Sequence, residues 1–229
     1  DTYGLSPDNV FCGNGSDEVV GFSFLAFADG AHPVTFPAVS YGFYRVFANL
    51  FRVPARTVPL REDFTLPVEP LLGAGGMVVL ANPNAPTGIG IPLAQIERLL
   101  QLHPQRVVLV DEAYVDFGGE TAMGLISQYP NLLVVHTLSK SRSLAGLRVG
   151  FACGQAHLID ALNRVKNSFN SYPLDRLAQA GATAAMEDGP EFDSTRQTLM
   201  HTREGLVLQL EDMGFEVLPS QANFVFVRH

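Results

Sequence analysis

The sequence predicts an α/β fold of three layers, α/β/α, with helices on both sides of a mostly parallel sheet. Short β-type runs alternate with helix-length periodic segments through the first two thirds of the chain, the pattern that βα units leave. Several runs, MVVLA and VVLV among them, are apolar at every position, which suits strands covered on both faces. After Cys153 the alternation stops, and helices followed by two short strand-like runs mark the beginning of a smaller α+β unit.

In chain order, strands are predicted at residues 9–12, 34–36, 56–58, 77–81, 106–110, 132–136 and 147–153. Helices are predicted between them at 17–28, 41–50 and 93–102. The first helix follows the glycine-rich GNGSDE, where Ser16 or Asp17 suits an N-cap. Beyond Cys153 come helices at 156–167, 174–186 and about 190–213, then short strands at 215–218 and 223–227. Residues 1–190 are therefore expected to form a large domain. Residues 191–229 supply a connecting helix and the first strands of an incomplete C-terminal domain. The chain opens inside an element-like stretch and stops at Arg228-His229 directly after a strand, so it is expected to be cut at both ends.

Composition bounds the function. With 229 residues, 47% of them hydrophobic and 17% charged, the chain can bury a real core, which excludes a disordered protein. A formal charge of −8 argues against non-specific binding to nucleic acid or membrane, both of which recruit basic patches. No apolar run approaches the roughly 18–20 residues that span a bilayer. The opening DTYGLSPDNV lacks the basic and apolar regions of a signal peptide. Cys12 and Cys153 stand far apart without metal-ligand spacing, which suits a reducing cytoplasm. Thirteen of the fifteen basic residues are arginine. Of the two lysines, Lys166 reads as a solvated cation near a helix end, which leaves Lys140 to be explained.

Ligands of open α/β sheets sit at the carboxyl ends of the strands, and five of these ends carry unusual chemistry. The first is Gly13-Asn14-Gly15-Ser16-Asp17, entering a helix whose free N–H groups favour phosphate; taken alone it reads equally as a capped glycine turn. It is neither a dinucleotide fingerprint nor a Walker loop. The second is NPNAPTG, residues 82–88, a loop stiffened by two prolines, which by itself is a rigid turn. The third is Asp111, with Glu112 and Tyr114, at the end of VVLV; a half-buried carboxylate there needs a metal, an arginine or a cationic ring, and metal is the weakest of these because no ligand ladder accompanies it. The fourth is Thr137-Leu138-Ser139-Lys140, a lysine flanked by hydroxyls at the end of a buried strand, suited to act as nucleophile or base. Arg148 follows eight residues later, within reach of the same anion. The fifth is Tyr41, an aromatic that can stack on a planar ligand or simply pack in the core. Together they describe a ligand with a phosphate, a cationic ring nitrogen, a phenolic oxygen and an aldehyde that lysine captures. Pyridoxal 5′-phosphate (PLP) has all four.

GNGSDE, NPNAPTG, DEAYVDF and TLSKSRSLAGLRVGF, in this order and spacing, resemble the fold-type I, class II PLP-dependent aminotransferases over essentially the whole chain. SKSRSLAGLRVGF and KNSFNSYPLDRLAQ point within them to the histidinol-phosphate aminotransferase branch. The resemblance implies the large domain of a PLP-dependent transferase. It makes Lys140 the lysine that binds the PLP aldehyde and moves the proton. Asp111 matches the partner of the ring nitrogen, Tyr114 the phenol on the ring oxygen, and Tyr41 the stacking aromatic. The Ser16 and Asp17 amides, the Thr137 and Ser139 hydroxyls and Arg148 match the phosphate cup, and Asn223 a substrate-side asparagine. Ala85 stands where the family usually has the asparagine that binds the ring oxygen, and Asn84 is expected to take that role through a small shift. The implied activity transfers the amino group between L-histidinol phosphate and 2-oxoglutarate, in histidine biosynthesis, by a cytoplasmic homodimer. Because of the truncation, the chain is expected to bind PLP without a complete substrate site. Two other readings are a PLP-dependent lyase or decarboxylase on an amino-acid phosphate, and a non-catalytic phosphate-binding α/β module.

Overall fold

A computed structural model describes residues 2–73 and 75–229. Its centre is a seven-stranded sheet of β1 (Val10–Asn14), β2 (Val34–Pro37), β3 (Ala55–Val58), β4 (Met77–Ala81), β5 (Val108–Asp111), β6 (Leu132–Thr137) and β7 (Val149–Gly154). The spatial order is β1-β7-β6-β5-β4-β2-β3. The β2–β6 ladder is parallel throughout, and only β7 runs against its neighbours β1 and β6. That reversal matters for function. The chain enters β7 at the edge where every other strand ends, so Arg148, the residue before it, reaches the carboxyl-end crevice.

The strand alternation builds the layers. Met77, Val79 and Ala81 of β4 and Leu109 of β5 face a core closed by α1 (Ser16–Phe27), α2 (Phe43–Leu50) and α5 (Ala156–Phe169). Val78, Leu80, Val108 and Val110 face the opposite core, closed by α3 (Glu69–Leu72), α4 (Leu93–Leu102) and α6 (Arg176–Glu187). On α4, Ile96, Leu99 and Leu100 share one face at helical spacing and are wholly buried. β4 is apolar at every position, and β5 as far as Asp111, because each side of the sheet is covered by helices.

The expected elements shift at their ends for local reasons. β5 begins at Val108 rather than 106, because the Arg106 amide closes a turn on the His103 carbonyl (3.0 Å). β7 begins at Val149 rather than 147, because Leu147 closes a 3-10 turn and Arg148 is left-handed at φ 52°. The strand expected at 223–227 shrinks to β9 (Val227–Arg228), paired with β8 (Glu216–Val217); the Ser220 hydroxyl donates to the Phe224 carbonyl and holds the preceding stretch in a tight loop. α3, a single turn, went unpredicted. α7 (Gly189–Asp212) has no fully buried residue.

Candidate active site

One crevice at the carboxyl edge of the sheet gathers Ser16, Asp17, Tyr41, Asp111, Tyr114, Thr137, Ser139, Lys140 and Arg148, nine of the ten residues predicted to hold the cofactor. Strand parity explains the selection. Asp111 continues the Leu109 side of β5 and Thr137 the Val135 side of β6, so both emerge beneath α1 and α2.

The phosphate-type end is built from α1 and β7. Gly15 caps α1 at φ 82° with no side chain satisfying the first-turn amides, and Ser16 and Asp17 of that turn line the crevice. A Cβ at Gly15 would collide with the Arg148 guanidinium, and one at Gly150 with the Ser16 amide, so two glycines let β7 and the helix end approach. Arg148 pairs loosely with Asp17 (3.4 Å), both side chains being partly exposed. Beside them the Ser139 Oγ is buried with no hydrogen-bond partner, and the Thr137 hydroxyl accepts from the Ser139 amide (3.2 Å). A buried, unpartnered hydroxyl next to an arginine and open helix amides is the donor set of an oxyanion site.

Asp111 is only 6% exposed. Its Oδ2 accepts from the Tyr44 hydroxyl (2.7 Å) and its Oδ1 from the Ala113 amide (3.2 Å). Burial raises its proton affinity above that of an ordinary aspartate, and those two donors oppose the rise. Lys140 Nζ lies 5.1 Å from the centre of the Tyr114 ring. The Tyr114 hydroxyl makes no hydrogen bond among the described residues, while the edge of its ring meets Phe224 at 5.0 Å. Tyr41 donates to Asp17 Oδ1 (2.8 Å), and burial, then that bond, pushes its phenol upward.

Two predicted residues lie elsewhere. Asn84 faces away from the crevice: its amide donates to the Val39 carbonyl (3.1 Å) and to Thr87 Oγ1 (3.0 Å), and Pro83 and Ala85 line the crevice in its place. The small shift expected of Asn84 would break both bonds. Asn223 is exposed and outside the lining, although its neighbour Phe224 touches Tyr114. Sequence reasoning missed Tyr44. Its signal was a tyrosine three residues after Tyr41, on a helix face otherwise made of core residues.

Glu112 points the other way. Its carboxylate takes His136 Nε2 (2.7 Å), the Thr121 hydroxyl (2.6 Å) and the Ala122 amide (2.6 Å) on the buried opposite face. Among the described residues no group of three or more His, Cys, Asp or Glu is placed to hold a metal ion.

The sequence matches aminotransferase class I and II over residues 2–229. The chain belongs to that family. It is 56% identical over 226 residues to histidinol-phosphate aminotransferase 1 of Burkholderia pseudomallei (strain K96243), covering 99% of this chain and 64% of that protein. It is 57% identical over 226 residues to histidinol-phosphate aminotransferase of Acetobacter pasteurianus, with the same coverage. Among solved structures it superposes with a TM-score of 0.90 on histidinol-phosphate aminotransferase from Sinorhizobium meliloti in complex with pyridoxal-5′-phosphate, at 26% identity over 99% of this chain and 63% of that one. The chain thus spans just under two thirds of the length of these family members.

Proposed function

We propose that this chain is the PLP-binding part of an aminotransferase that moves the amino group between L-histidinol phosphate and 2-oxoglutarate, giving imidazole-acetol phosphate and L-glutamate. One observation carries the cofactor reading: a solitary lysine and a buried carboxylate line the same crevice whose far end holds the unpartnered Ser139 hydroxyl, the Arg148 guanidinium and the α1 amides. The donor set fits PLP at both ends. The substrate reading is supported by the identity to the Burkholderia and Acetobacter enzymes.

When bound, PLP supplies an aldehyde that captures amines and a cationic ring that accepts negative charge from the carbon beside the captured nitrogen. The chain does the rest. Ser139, Thr137, Arg148 and the α1 amides hold the phosphate. Asp111 accepts a proton-bearing ring nitrogen and keeps it charged, and the Tyr114 phenol donates to the ring oxygen. Lys140 would anchor the cofactor through Nζ, and a free Nζ would take the proton from the substrate carbon and carry it across the intervening nitrogen to the carbon on its other side. Tyr41 covers the ring.

In this reading residues 1–190 are the large domain, 191–229 lead into the small one, and the enzyme is a cytoplasmic homodimer. No helix among the described residues is long and apolar enough to cross a membrane. The exposed apolar face of α2, formed by Phe43, Val46 and Leu50, supports a subunit contact. The test is turnover by the complete PLP-loaded enzyme: L-glutamate should form from L-histidinol phosphate only when 2-oxoglutarate is present. Carbon dioxide release without 2-oxoglutarate would overturn the reading in favour of a decarboxylase.

A further inference from the structure

We propose that Tyr44 is a positioning residue of the cofactor crevice: its buried phenol holds the Asp111 carboxylate as an acceptor, so that the proton shared between Asp111 and the ring nitrogen rests on the ring. The inference depends on the PLP reading above and assigns a residue to the control of its charge.

Tyr44 is fully buried on the inner face of α2. Its ring is wedged edge-on between Phe36 of β2 (5.9 Å, 61°) and Tyr41 (5.7 Å, 80°), which fixes where the hydroxyl points. The hydroxyl donates to Asp111 Oδ2 at 2.7 Å. Burial, followed by the facing Asp111, pushes the Tyr44 phenol well above its usual range, so it stays protonated and is the donor toward an ionised Asp111. A carboxylate offers about four lone-pair directions. Here Tyr44 takes one on Oδ2 and the Ala113 amide one on Oδ1, and the remainder stays available on a side chain that lines the crevice.

The sign of the effect follows. A donor bonded to the charged form of an acid stabilises that form and lowers its proton affinity. Without Tyr44, a carboxylate buried as deeply as Asp111 would compete harder for the proton, and the ring nitrogen would lose it. The other titratable groups acting on Asp111 are His136, which favours its charge, and Asp17, which opposes it; neither is hydrogen-bonded to it. Of the other phenols of the crevice, Tyr41, which the Asp111 charge also reaches, donates to Asp17 instead, and Tyr114 makes no hydrogen bond among the described residues. Tyr44 is therefore the side chain that sets the proton balance, and a phenylalanine there would fill the same space without doing so.

The experiment loads the protein with PLP labelled with nitrogen-15 in the ring, in wild type, Tyr44→Phe, Asp111→Asn and the double variant. Borohydride trapping on Lys140 is run on each. Wild type should trap PLP and give a ring-nitrogen signal in the pyridinium range. Tyr44→Phe should still trap PLP, with its signal moved toward neutral pyridine and PLP bound about tenfold more weakly, the worth of one charge-assisted hydrogen bond. In the Asp111→Asn background, adding Tyr44→Phe should move the signal no further. If Tyr44→Phe does not fold, site-specific incorporation of 3-fluorotyrosine at position 44 keeps the shape and strengthens the donor, and should raise the pH at which the ring nitrogen loses its proton. A wild-type signal in a PLP-loaded Tyr44→Phe protein, or a wild-type titration midpoint in the fluorinated one, would overturn the positioning role and leave the PLP reading intact. Failure of wild type to trap PLP would overturn both.

Discussion

Two neighbouring carboxylates at the end of β5, Asp111 and Glu112, have opposite surroundings, and the contrast separates function from structure in this molecule. Glu112 is met by three donors: an imidazole, a hydroxyl and an amide reach it on a closed face, beneath the stacked rings of His136 and Phe151 (5.3 Å). Asp111, one residue earlier, has one donor on each oxygen and lines an open crevice. A buried carboxylate with all its donors supplied by the protein is a strut. One left short of donors at a crevice wall is waiting for a ligand. The one-residue step along a strand, which sends successive side chains to opposite faces, produces both from the pair Asp111-Glu112.

That comparison can be broken or sharpened by mutation. The largest effect belongs to Lys140→Ala, which should abolish the borohydride-trapped adduct completely while leaving the thermal melt of the cofactor-free protein near that of wild type, since Lys140 is exposed. Next is Glu112→Ala. Removing the shared acceptor strands the His136 ring nitrogen, the Thr121 hydroxyl and the Ala122 amide and should cost about 1–3 kcal/mol for each donor left buried and unpaired, read in denaturant unfolding, yet the protein that remains folded should still trap PLP on Lys140. Asp111→Asn should do the reverse, lowering turnover of the complete enzyme by roughly 10²–10³-fold, the usual cost of removing a preorganised charge from an active site.

The same substitution carries a pH signature in the cofactor-free protein. Burial lifts the folded-state proton affinity of Asp111 above its unfolded value. The folded state therefore holds this proton more tightly, and the stability linked to it is present at low pH and lost as pH rises through the folded value. Cofactor-free Asp111→Asn should accordingly melt higher than wild type at neutral pH, and the gap should close as pH falls toward about 4, the ordinary aspartate value. The smallest effect is that of Ser139→Ala. It deletes an unpartnered hydroxyl, so the cofactor-free melt should not fall, while PLP should bind about tenfold more weakly through the loss of one hydrogen bond to a charged group.

Much of this was legible in the sequence because it is local. Runs such as MVVLA declare doubly covered strands, and the polar residues that end them declare where the crevice lies. Lys140 stood out because the chain uses arginine almost everywhere else. What stayed hidden depends on distant partners. Tyr44 reads as a core aromatic until the fold brings it 67 positions along the chain to Asp111. Asn84 looked available until Val39 and Thr87 claimed its amide. The reversal of β7, which delivers Arg148 to the crevice, is a property of sheet pairing and leaves no local mark.

The central claim is that Lys140 and Asp111 share a PLP site. The direct measurement is a mass spectrum of the protein digested after incubation with PLP and reduction with borohydride. A pyridoxyl group should appear on the Lys140 peptide and none on the Lys166 peptide. Equal labelling of both lysines, or no labelling of Lys140 by the folded protein, would contradict it.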